Sequence, residues 1–138
     1  MHFSQLLSIA ALAATALADT VSYDKGYDDR GRQLTDVACS DGANGLITRK
    51  GWHTQGDIPK FPYIGGVGVV AGWNSPECGS CWKLEYKGRS ITVLAIDHAA
   101  SGFNIALAAM NDLTNGNAEQ LGRIDATATR ALPADCGM

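Results

Sequence analysis

Apolar and polar positions divide the chain into short segments, and most of them repeat every two residues. Val21-Ser22-Tyr23 predicts a first strand, ended by the Asp- and Gly-rich stretch over residues 24–31. Asp36-Val37-Ala38-Cys39 predicts another short strand. Ser40-Asp41-Gly42-Ala43-Asn44-Gly45 offers Asp41 and Asn44 as helix caps, so one or two helical turns are expected from Leu46. Pro59 and Pro62 make residues 54–63 a loop with extended backbone before each proline. Residues 65–73 are rich in Gly and Val, which reads as a strand with close backbone approach or a bulge.

Trp82-Lys83-Leu84-Glu85-Tyr86, a Lys87-Gly88 turn and residues 90–97 form the clearest hairpin. Its second arm, Ile91-Thr92-Val93-Leu94-Ala95-Ile96, is nearly all apolar and predicts a strand covered on both faces. Residues 103–113 predict a helix, because Phe103, Leu107 and Met110 fall at i, i+4 and i+7. Ser101 or Asn104 would cap it, and Asn115-Gly116-Asn117 would end it. Residues 123–129 alternate strictly and predict a last strand with one polar face. Short strands with about two helices imply a mainly β domain, a small closed barrel flanked by helices.

The first 18 residues hold no Asp, Glu, Lys or Arg; residues 6–17 are apolar and Ala16-Leu17-Ala18 is a small-x-small site. That is the layout of a secretory signal peptide cleaved after Ala18, leaving one domain over residues 19–138. The run is shorter than the roughly 20 residues that span a bilayer, so no membrane anchor is expected. Eleven basic against 14 acidic side chains give a net charge of −3. Without a Lys/Arg run, neither nucleic acid nor an anionic membrane is an expected partner.

Four cysteines, Cys39, Cys78, Cys81 and Cys136, read as two disulfides in a short secreted chain, with three connectivities open. Cys78-Gly79-Ser80-Cys81 is a C-x-x-C, but a strand pattern follows it where a redox pair needs a helix. A zinc site lacks a second ligand pair at suitable spacing, and His53 and His98 lack a third ligand. No metal or other cofactor is implied.

Five ordered blocks carry a resemblance: Val21-Ser22-Tyr23-Asp24, residues 39–46 (Cys-Ser-Asp-Gly-Ala-Asn-Gly-Leu), Phe61-Pro62-Tyr63-Ile64-Gly65-Gly66, Cys78-Gly79-Ser80-Cys81-Trp82 and residues 102–107 (Gly-Phe-Asn-Ile-Ala-Leu). Together they resemble the cerato-platanin family of filamentous fungi over essentially all of residues 19–138. The resemblance implies a six-stranded double-ψ β-barrel, shared with expansins and some endoglucanases, and the pairing Cys39–Cys78 and Cys81–Cys136. It also implies secretion or wall association, binding of chitin or related β-glycan oligomers, loosening of polysaccharide, elicitation of plant defence through a plant receptor, and self-association at hydrophobic surfaces.

Asp97 follows six largely apolar strand residues, which places a carboxylate at a barrel rim. The resemblance puts the matching aspartate in a sugar-binding groove; the plainer account is a loop cap through neighbouring backbone N–H groups. Ser101 and Asn104 lie a short loop beyond, and Asp41 and Asn44 belong to a second polar loop expected near the same face. All five are carried over as carbohydrate-binding residues, none as catalytic. Trp52, Trp73, Trp82, Tyr23, Tyr27 and Tyr63 are stacking candidates, with Trp82 reading as core and Trp52 as the best exposed. Residues 61–70 read as an apolar surface patch or as core.

Glycoside hydrolysis needs a second carboxyl group of raised pKa about 5–9.5 Å from the first. Asp41, Asp57 and Asp112 all sit in polar surroundings. A non-enzymatic glycan-binding module is therefore the leading reading. A weak glycan-degrading enzyme and a surface-active structural protein are the alternatives.

Overall fold

The structure, a computed structural model, describes residues 17–138. Most of the expected leader thus lies outside the described residues. Its last two residues, Leu17 and Ala18, begin strand β1 (Leu17–Tyr23), opposite Ala128 and Thr127.

Five more strands follow: β2 (Ile64–Val67), β3 (Cys81–Tyr86), β4 (Arg89–His98), β5 (Phe103–Ile105) and β6 (Arg123–Ala131). They close a barrel in the order β1-β5-β2-β4-β3-β6, with β6 returning to β1. β1/β5 and β2/β4 are parallel and the other pairs antiparallel. Closure removes the exposed sheet edges that a small β protein would otherwise have to protect. Inside, Val21, Ile64, Leu84, Leu94, Ile96 and Ile105 are fully buried. Each such side chain contributes roughly 1.5–3 kcal/mol through lost apolar hydration.

Among the described residues, three short α-helices lie outside the barrel: α1 (Leu46–Lys50), α2 (Leu107–Leu113) and α3 (Ala118–Leu121). Cys39–Cys78 ties the segment before α1 to the start of the β3 region, and Cys81–Cys136 ties β3 to the C-terminal turn. The hairpin, the covered strand and the alternating last strand form as the pattern predicts.

Four local expectations are corrected. Phe103 to Ile105 is a strand, because its alternating burial pairs it with β1 on one side and β2 on the other. Helix α2 starts only at Leu107, and neither Ser101 nor Asn104 caps it. Asp28 does so from the end of a distant 3₁₀ turn (Lys25–Asp28), accepting from Leu107 N at 2.7 Å and Ala108 N at 2.9 Å.

Residues 36–39 form no strand. Leu34–Asp36 is a 3₁₀ turn, and the next amides bond the end of β4: Ala38 N to Asp97 Oδ1 and Cys39 N to the Ile96 carbonyl. Helix α1 is capped by Gly45 with no side-chain bond, because Asp41 and Asn44 are engaged elsewhere.

Candidate functional site

A β-bulge between Gly65 and Gly66 shifts the β2/β4 register, so Gly66 faces Asp97. Gly66 also faces Asn104 on β5, Asn104 faces Ser22 on β1, and Ser22 faces Arg123 on β6. One residue from each of five strands therefore lies in a single row around the barrel. Directly opposed residues share a sheet face. Their neighbours Ile96, Phe103, Val21 and Ile124 are buried, so the row points outward.

Gly66 is required in the middle of that row. A Cβ there would stand 2.8 Å from the His98 carbonyl oxygen and 3.1 Å from the Tyr27 hydroxyl. Its absence lets Tyr27 lie across β2 and donate to Asp97 Oδ2 at 2.8 Å. Burial pushes the Tyr27 phenol far above its usual range, and the bond to Asp97 adds to the effect. Asp97 Oδ1 accepts from Ala38 N at 3.0 Å and His98 N at 2.9 Å. Each carboxylate oxygen has about two acceptor positions, so one remains open, on Oδ2. Half-buried Asp97 thus holds the 27–38 segment onto the barrel.

Beyond Gly66 the row opens into a cleft of about 290 Å³ lined by Ser22, His98, Ser101, Asn104 and Arg123. Asn104 Oδ1 accepts from Ser22 Oγ at 3.0 Å. Its Nδ2 donates to none of the described residues. His98 Nδ1 lies 2.6 Å from the Val70 carbonyl, which can only accept. In the neutral ring that bond fixes the proton on Nδ1 and leaves Nε2 as an acceptor. The cleft combines amide, hydroxyl, imidazole and guanidinium groups on a shallow surface, a set suited to a neutral polyhydroxylated ligand.

The structure brings Asn104 and Ser101 together, with Asp97 two strands away on the other side of Gly66. Asp41 and Asn44 form a second cluster around Trp73 and Asn74. Trp73 Nε1 donates to Asp41 Oδ1 at 2.7 Å, and Asn44 grips Asn74 through its backbone N and its Nδ2, both at 2.9 Å. Among the described residues, the two clusters share no hydrogen bond.

The most exposed tryptophan is Trp73, at 62 %, and not Trp52, which is half-buried under Lys50. Trp82 packs on the core between Phe103 and Arg130. Of residues 61–70, only Val69 is exposed. Sequence reading overlooked Ser22 and Arg123. Their outward positions in two alternating strands were the signal that could have found them.

The two remaining candidate carboxylates, Asp57 and Asp112, are occupied. Asp57 accepts from His53 N and Thr54 N, which holds its carboxyl below the usual range, opposite to what a general acid needs. Asp112 accepts from the Tyr63 hydroxyl and pairs with Arg89. It lines a cleft with Ser90, Ile91 and Thr92, on the order of 15–25 Å along β4 from Asp97 at about 3.3 Å per residue. A cavity of about 490 Å³ beside Lys87 and Arg89 lies at that same far end and is lined by none of the predicted site residues.

A closed six-stranded barrel with two disulfides and a polar row on its outer wall defines the class. The cerato-platanin family model matches residues 19–138, and the chain belongs to that family. It is similar to the heat-stable 19 kDa antigen of Coccidioides posadasii, at 49% identity over 100% of this chain and 99% of that protein. Among solved structures, cerato-platanin 2 from M. perniciosa is 44% identical, covers 88% of this chain and 100% of its own, and superposes with a TM-score of 0.84. The fungal elicitor cerato-platanin, solved in solution, is 34% identical, covers 85% and 95% respectively, and gives a TM-score of 0.77.

Proposed function

We propose that this protein is a secreted, non-hydrolytic binding module for chitin or related β-glycan oligomers, which loosens polysaccharide and is perceived by plants as an elicitor. The observation that carries the reading is the outward row from Asp97 across Gly66 to Asn104, Ser22 and Arg123. Asn104 Nδ2 donates to a sugar hydroxyl, while His98 Nε2 and the remaining position on Asp97 Oδ2 accept. Ser101, Asp41 and Asn44 supply further polar contacts to a longer chain. Each bond nets only about 0.5–1.5 kcal/mol, so affinity is weak and grows with oligomer length. Loosening follows where these contacts replace hydrogen bonds between polymer chains.

Two features support an extracellular place: the apolar leader ending at Ala18 and the disulfides Cys39–Cys78 and Cys81–Cys136. The three carboxyls weighed as partners for Asp97 are engaged by other groups, Asp41 by Trp73, Asp57 by the His53 and Thr54 amides and Asp112 by Tyr63 and Arg89, which supports binding over hydrolysis. Incubation with insoluble chitin and with cellulose tests this directly. The protein should leave solution with the polymer and release no soluble sugar; steady release of oligosaccharide would establish an enzyme.

A further inference from the structure

Trp73 is a large apolar side chain kept at the surface by polar contacts. Asp41 fixes its Nε1 at 2.7 Å. Gly42, at φ +80°, packs so closely against the ring that a Cβ would stand 2.9 Å from Trp73 Cζ2. The next residue, Asn74, is held in the left-handed region at φ 60° by the two bonds from Asn44. The indole is therefore oriented before any ligand arrives, which lowers the cost of binding.

We propose that the Trp73 indole is a stacking subsite for a pyranose ring, extending the Asn104 cleft into a track for a longer β-linked glycan. This rests on the reading above that the cleft itself takes such a chain. The ring's only polar group is engaged by Asp41, so its exposed faces are wholly apolar. Asp41 Oδ2 and Asn44 Oδ1 accept from none of the described residues, which leaves acceptors beside the plate. A β-linked pyranose is the matching shape, because its ring faces carry C–H groups and its hydroxyls project around the edge. The Asp41 carboxylate beside the ring disfavours anionic occupants.

Chain connectivity sets the reach. Val70 touches His98 in the cleft and Trp73 is three residues further on; Ala38 touches Asp97 and Asp41 is three residues further on. Three residues span at most about 11 Å. A chain long enough to leave the cleft therefore has the indole within reach, while a fragment no longer than the cleft does not cover it. Gly72, between them, borders open space, so nothing stands in the way beside its Cα.

Calorimetric titration of the native chain, Trp73→Ala and Trp73→Phe with chitin trimer and hexamer tests the subsite. Because Trp73 is largely exposed, both variants should keep the native melting temperature. Trp73→Ala should weaken hexamer binding roughly tenfold, the scale of one aromatic contact, and leave trimer binding unchanged. Trp73→Phe should restore most of the hexamer affinity. Hexamer binding by Trp73→Ala equal to native overturns the subsite and leaves the Asn104 cleft standing. Equal weakening toward both oligomers also overturns it as a separate subsite. Absence of binding by the native protein overturns both readings together.

Discussion

Tyr27 donates to Asp97 Oδ2 at 2.8 Å, joining residues 70 positions apart across a strand that has only a glycine between them. Together with the Ala38 and Cys39 amides, this bond fixes the segment after β1 against the end of β4. Asp97 is therefore a structural anchor as well as a candidate ligand. Any variant at this position must be checked for folding before its binding is interpreted.

The Tyr27 phenol keeps its proton in the folded state well past the usual tyrosine range, whereas in the unfolded chain it ionises near pH 10. Its contribution to stability is therefore complete below about pH 10 and is lost as pH rises beyond it. Tyr27→Phe should lower stability at pH 7 by about 1–3 kcal/mol, since Asp97 loses a donor. It should also flatten the fall in urea midpoint between about pH 10 and 11.5. An unchanged alkaline slope would mean that Tyr27 is not the titrating group.

Each disulfide should contribute on the order of 4 kcal/mol, with sequence separations of 39 and 55. Reduction in thermal unfolding experiments should lower Tm by on the order of 15 °C or more. A melting temperature insensitive to reductant would assign stability to the barrel alone.

Asp28 satisfies the first two amides of α2 from 79 and 80 residues away. Asp28→Ala should cost about 1 kcal/mol, with Asp28→Asn costing less. Hydrogen exchange should localise the loss of protection to Leu107 and Ala108. Uniform loss across the barrel would point to a different role.

That cap shows where the sequence was readable and where it was not. The apolar run from Ile91 to Ile96 and the alternation from Arg123 to Thr129 each carry their own periodicity, so their strands were evident. Phe103-Asn104-Ile105 was not, because a three-residue strand is too short to show a period and exists only through β1 and β2. Asp41 and Asn44 have the local form of helix caps, but partners about 30 residues away claim them. The site depends on a one-residue bulge at Gly65/Gly66, which decides whether Gly66 faces Asp97. The cysteine pairing came from family resemblance, since spacing alone left three choices.

The most direct measurement is titration of native protein and Asn104→Ala with chitin oligomers of increasing length. Native affinity should rise with each added sugar. Asn104→Ala should retain the native Tm to within a few degrees and bind roughly tenfold more weakly at every length that fills the cleft. Equal affinity in the two proteins, or no dependence on length in the native one, would contradict a glycan site on the outer wall of the barrel.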